Sequence, residues 1–178
     1  VFHRLDNNGV YVADGYISAI EYPYDDKSLD RAAERFRYIY DKYLTDENRV
    51  FLSVIPDKNC FLAGEYGRLS MDYGEFERQM AEKADFAEYI RISDLLERED
   101  YYRTDTHWRQ ERILDVADRL AQSMGTELSK DYETHGVEGD FYGVYYGQAA
   151  LPVEPDRIWY LTGEAIDNCR VYDWQNGR

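Results

Sequence analysis

"YYRTDTHWRQERILDVADRLAQSMG", residues 101–125, decides how this chain is read. Its second half has helical spacing. Ile113, Leu114, Ala117, Leu120, Ala121 and Met124 recur at one face, and Gly125 supplies a stop. Its first half sets Asp105 two residues before His107, with Trp108 next. A carboxylate so placed can accept a hydrogen bond from one imidazole nitrogen, fix the tautomer, and stabilise the imidazolium when the other nitrogen takes a proton. The same residues also read as a helix entrance, with Thr104, Asp105 or Thr106 as cap and His107 in an exposed first turn.

Outward from this stretch, helices alternate with apolar strands. "SLDRAAERFRYIYDKYL" (28–44) is a helix capped by Ser28, with Leu29, Ala32, Ala33, Phe36, Ile39, Tyr40 and Tyr43 on one face. "RVFLSVIP" (49–56) is a short β-branched run that reads as a strand buried on both faces of a parallel sheet. "DYGEFERQMAEKA" (72–84) is a second helix, and "FAEYIRI" (86–92) the next strand, with Ser93 capping a brief turn through Leu96. Near the start, the "NNG" (7–9) and "ADG" (13–15) turns punctuate short strands. Residues 126–140 read as a polar loop, and "RIWYL" and "CRVYDW" as late strands. The alternation predicts a single three-layer α/β domain with a mainly parallel sheet over residues 1–178.

Composition narrows the function. The 178 residues are 44% hydrophobic, enough for one real core. The net charge of −15, from 21 basic against 36 acidic residues, argues against a nucleic-acid partner, because a phosphate backbone is held by clustered Lys and Arg. No apolar run reaches the about 20 residues of a membrane span. Cys60 and Cys169 could pair in an exported protein or stay as two thiols; neither has a CxxC or His-rich neighbour, so no metal site and no cofactor are implied. His3 and His135 read as exposed. Eighteen tyrosines suit surfaces that bind sugars, and equally half-buried strands.

Binding residues follow from the same reading. Lys58, in "PDK" just after a strand, could hold an anionic substrate group or be a solvated turn lysine. Tyr101 and Tyr102 flank the Asp–His pair and could line a sugar subsite or pack in the core. "FYGVYYGQAALPVEP" (141–155) reads as a pocket-lining loop, with Tyr145 and Gln148 as ligand contacts, or as an irregular strand with bulges.

"YYRTDTHWRQ" (101–110) resembles the Tyr-Tyr-x-Thr-Asp-x-His-Trp signature of the bacterial DHHW family, which is similar to the alginate O-acetyltransferase proteins and other SGNH-hydrolase-like chains. "VFLSVIPDKNCFLA" (50–63), "NNGVYVADGYI" (7–17) and "FYGVYYGQAALP" (141–152) extend the resemblance over nearly the whole chain. Thr106 stands where the family name has its first His. The resemblance implies an SGNH-like fold and an exported, extracytoplasmic carbohydrate esterase or O-acetyltransferase acting on a polysaccharide or other acylated glycan. It makes His107 the general base and Asp105 its orienting partner, with the nucleophile on a later serine. Ser123 lies within a helix, Ser129 in a polar loop and Ser53 inside a strand, so none suits an exposed nucleophile elbow. The expectation is therefore a fragment that is incomplete at its C-terminus, lacks the serine, and is silent by itself. A non-catalytic glycan-binding or assembly module on the same fold is the alternative.

Overall fold

The structure is a computed structural model and describes residues 8–175 and residue 177. It opens on a hairpin, β1 (Val10–Ala13) and β2 (Tyr16–Ala19), paired from Val10↔Ala19 to Ala13↔Tyr16. Asp14 and Gly15 both take positive φ, as the twist-matched two-residue turn requires. Alternation places Val10 and Ile17 on one face against Ala149 and Val153, and Tyr11, Ala13 and Tyr16 on the other against Leu62. Both faces of this hairpin are thereby buried.

Helix α1 (Asp26–Tyr43) begins earlier than its spacing predicted. Asp25, not Ser28, is the cap: its carboxylate accepts from the Lys27 amide at 3.0 Å, and Ser28 Oγ donates to it at 2.8 Å. Leu29 and Ala33 are buried, but Phe36, Ile39 and Tyr43 on the same face are exposed.

Strand β3 (Phe51–Leu52) runs parallel to β4 (Glu88–Tyr89), with α2 (Asn59–Leu62) and α3 (Tyr73–Lys83) between them. The expected doubly buried strand is shorter and half-buried, and Ile55 is exposed. Ile90, Ile92 and Leu96 pack with Val116 of α4 (Leu114–Ser123) to form the core behind the Asp–His stretch.

Three expectations are corrected. The 126–140 segment contains β5 (Glu133–Gly136), which pairs antiparallel with β6 (Trp159–Thr162). Its "ETHG" sequence is polar because the ribbon is largely open to solvent, so no apolar period announces it. The 141–155 segment contains α5 (Val144–Ala149), a helix too short to show a period. "CRVYDW" forms no strand; Val171, Tyr172 and Trp174 are exposed beyond α6 (Glu164–Asp167).

The fold is mixed α/β as expected, but two of the three two-stranded sheets among the described residues are antiparallel. A two-residue turn permits only antiparallel pairing, whereas parallel pairing needs a long crossover such as the one between β3 and β4. Cys60 is half-buried, Cys169 exposed, and both are free thiols.

Capping gives a direct check on this part of the fold. Asp25→Ala should lower the unfolding free energy by about 1 kcal/mol in a denaturant titration, and Ser28→Ala by less, since Ser28 only braces the cap.

Candidate active site

The residues around Asp105 form a closed loop. A β-bridge joins Tyr101 to Trp108, the Tyr102 amide donates to the His107 carbonyl at 3.1 Å, and the Arg109 amide donates to the Asp100 carbonyl at 2.7 Å. The loop tip folds inward, which leaves Thr104 and Asp105 buried. Burying backbone requires partners for its polar groups, and four distant elements supply them.

The first is Lys58, immediately before α2. Its side chain is fully buried, and its ammonium donates to the carbonyls of Asp105 (2.6 Å), Tyr102 (2.7 Å) and Arg103 (3.2 Å). An ammonium has three donors, and here all three are used. Burial pulls its pKa down to about 8, against the opposing pull of Asp57, Asp156 and Asp105. The second is Asp156: one carboxylate oxygen accepts from the Arg103 amide (2.7 Å), the other from the Thr104 amide (2.7 Å) and hydroxyl (2.6 Å). The third is the start of α5. The Gly143 amide donates to Thr104 Oγ1, the Val144 amide to Asp105 Oδ2, and the Tyr145 amide to the Thr104 carbonyl, all at 2.9–3.0 Å. The fourth is β2, whose Ile17 amide donates to the Arg103 carbonyl at 2.7 Å.

Within this frame Asp105 Oδ1 lies 2.6 Å from His107 Nδ1 and also accepts from the His107 amide at 3.0 Å. Burial opposes the charge on Asp105, but the Val144 and His107 amides and the His107 ring outweigh it and hold the carboxyl below its usual range. The His107 side chain is 75% exposed while that of Asp105 is 6% exposed. With Nδ1 engaged, Nε2 remains for proton transfer. His107 lines a depression of about 210 Å³ together with Ile55, Pro56, Asp57, Tyr101, Thr106 and Trp108.

The sequence-predicted binding residues separate. Lys58 is neither solvated nor open to a ligand: it is a buried clamp on the loop. Tyr101 is buried, its hydroxyl donating to the Pro56 carbonyl at 2.6 Å, and it also borders the depression beside His107. Tyr102 is half-buried, edge-on to Phe141 with ring centroids 5.3 Å apart. Tyr145 is half-buried beside the loop, pairing with the Thr106 side chain, and its ring centroid lies 5.3 Å from Lys58 Nζ. Gln148 is exposed near the end of α5, where its carbonyl accepts from Asn8. His135 is half-buried, against Thr162 at 2.9 Å, and His3 lies outside the described residues.

The reading of the sequence missed Asp156 and the particular need for Gly143. A Cβ on Gly143 would sit 2.3 Å from Asp105 Cβ and 2.6 Å from its Cα, so only glycine permits this approach. Among the described residues no three His, Cys, Asp or Glu side chains are grouped to hold a metal, and no helix is long and apolar enough to cross a membrane.

No protein-family model and no curated protein matches this sequence. Solved structures do share its fold. The crystal structure of a DHHW family protein from Eubacterium siraeum aligns with a TM-score of 0.69 at 19% identity, covering 88% of this chain and 55% of that one. Bacillus cereus PatB1 aligns with a TM-score of 0.62 at 11% identity, over 88% of this chain and 59% of PatB1. PatB1 with a sulfonyl adduct aligns with a TM-score of 0.65 at 12% identity, over 88% and 56%. The chain thus spans little more than half the length of the structures it matches. The DHHW resemblance carried by residues 101–108 holds at the level of the fold.

The loop's supports are open to test. Lys58→Met leaves the Tyr102 and Asp105 carbonyls without a donor, while Arg103 keeps the Ile17 amide, and should destabilise the protein by roughly 3 kcal/mol in denaturant unfolding. Gly143→Ala should displace Asp105 and cost about 2 kcal/mol. Because the folded pKa of Asp105 lies below its unfolded value, its contribution is present at neutral pH and is lost as pH falls through the folded pKa. Asp105→Asn should accordingly flatten the decline in melting temperature below about pH 4.

Proposed function

We propose that this chain carries the acid–base half of a serine-dependent acyl-transfer site, in an extracytoplasmic O-acetyltransferase or carbohydrate esterase that acts on an acylated polysaccharide. The observation that carries the reading is the 2.6 Å contact between a buried, charge-stabilised Asp105 and the exposed ring of His107. A buried carboxylate fixed by two amides orients the imidazole before substrate arrives. Support also comes from PatB1, whose fold is shared and which has been captured with a sulfonyl adduct, the kind of product an activated nucleophile forms.

In this mechanism a serine oxygen attacks the acyl carbonyl while its proton passes to His107 Nε2. That proton then goes to the departing oxygen of the donor. In the second half, a glycan hydroxyl or water loses its proton to Nε2 as it attacks the acyl-serine, and Nε2 returns the proton to the serine oxygen. Asp105 stays ionised throughout and stabilises the imidazolium. No serine lines the depression beside His107 among the described residues. The nucleophile in this reading therefore comes from outside them, in cis or in trans, and the same added segments complete a three-layer SGNH-like arrangement around β3 and β4.

The same observation favours a second reading, a glycan-binding module that keeps the fold without the chemistry. Enzyme assays on the gene's full-length product separate the two. His107→Ala should lower the rate of acetyl-ester turnover by about 10³-fold or more; an unchanged rate would sink the catalytic reading, and glycan binding without turnover would favour the module. The 178-residue chain alone should not hydrolyse p-nitrophenyl acetate above the rate of its His107→Ala variant.

A further inference from the structure

An acidic protein repels anions in general, so a place on it that attracts them has to be built locally. Arg103, Arg109, Arg112 and Arg157 line one depression of about 310 Å³, with Tyr16 and Trp159 in its walls. Two of these arginines are already matched: Arg109 by Glu111, and Arg112 by Asp100 and Glu97. Arg103 and Arg157 have no carboxylate partner within ion-pair distance of their side chains among the described residues. The Arg103 guanidinium carbon lies 5.9 Å from the Tyr16 ring centroid, and that of Arg157 lies 5.1 Å from the Trp159 ring. The Arg157 side chain donates a long bond, 3.4 Å, from Nε to the Val137 carbonyl.

Four arginines border the depression against two carboxylates, Glu99 and Asp156, and the Asp156 charge acts also on the buried Lys58 ammonium, so positive charge is in excess. Glu99 is taken by Arg98 at 2.7 Å. Both oxygens of Asp156 are taken by the amides of Arg103 and Thr104 and the Thr104 hydroxyl. That clamp also brings both arginines to one depression, since Asp156 ties the backbone of Arg103 to the residue preceding Arg157; the Arg103 side chain also donates to the Tyr16 hydroxyl. Arg103 is fixed further through its carbonyl, which accepts from Ile17 and Lys58. Gly136 makes room on the other wall: a Cβ there would lie 3.1 Å from the Trp159 ring and 3.3 Å from Arg157 Nε.

Two guanidinium forks on pinned backbone, each backed by an aromatic face, form a receptor for an oxyanion carried on a flat, partly apolar body. We infer that this cleft binds the carboxylate or phosphate of an anionic sugar unit, two residues along the chain from Asp105. Such a subsite anchors a charged glycan alongside the Asp–His loop. The choice of a sugar as carrier rests on the proposed function; the oxyanion site rests on the geometry alone.

The test is a calorimetric binding titration of the 178-residue chain, with trigalacturonate, glucose 6-phosphate and neutral maltotriose as probes. At least one anionic probe should bind, maltotriose should not, and Arg103→Gln and Arg157→Gln should each weaken anion binding by about tenfold or more. Raising the salt should weaken it further. Arg119→Gln, whose guanidinium pairs with Asp94 elsewhere, should leave the affinity unchanged. Binding of trigalacturonate alone assigns a carboxylate, of the sugar phosphate alone a phosphate, and of both a general oxyanion site. Absence of anion binding, equal binding of maltotriose, or anion binding that survives the double Arg103→Gln, Arg157→Gln change overturns the inference. Because the readout is binding, it succeeds or fails independently of whether His107 transfers protons.

Discussion

A buried ammonium holds this structure's chemistry in place. Lys58 Nζ meets the carbonyls of Tyr102, Arg103 and Asp105 at 2.6–3.2 Å, with its side chain removed from solvent. A buried lysine is tolerated only when its donors are satisfied and acidic groups lie near, and Asp57, Asp105 and Asp156 provide that surrounding charge. Without this centre the inward turn of residues 102–105 would leave buried backbone carbonyls unpaired, and Asp105 would have no fixed position.

From that centre the dependencies run outward in order. Asp156 and the α5 amides also grip the loop, so every polar group of Thr104 has a partner. Gly143 lets α5 approach to the distance at which the Val144 amide can stabilise the Asp105 charge. Asp105 in turn sets His107, the exposed member of the pair. Rigid elements thus position a surface side chain through backbone hydrogen bonds more than through apolar packing, which suits a group that must meet substrate in water. The same Asp156 clamp sets Arg103 beside Arg157, so the Asp–His pair and the arginine cleft are two outcomes of one arrangement.

How much of this could be read from the sequence follows from distance along the chain. Asp105 and His107 are two residues apart, so a local spacing encodes their contact. The hairpin was legible because "ADG" supplies the positive φ values its turn needs. The clamp was not legible. Lys58, Asp156 and the α5 amides act from 39 to 53 residues away, and most of the atoms they touch are backbone, which carries no residue identity. Lys58 in "PDK" read as an anion-binding or solvated turn lysine because burial of a lysine is rare and decided by tertiary contacts. The α5 helix was lost for another reason: six residues rich in tyrosine and glycine show neither helical nor strand period. The expectation of a mainly parallel sheet came from counting apolar runs, while a hairpin turn and a polar ribbon fixed the pairing of four of the six strands among the described residues.

The most direct measurement is the nitrogen spectrum of the His107 imidazole, recorded by NMR on the protein and on its Lys58→Met variant at pH 8. If the loop presets the acid–base pair, the protein shows a single tautomer with the proton on Nδ1, held by Asp105, and the variant loses that preference. An imidazole that averages between tautomers in both proteins, as a free surface histidine does, would contradict the account.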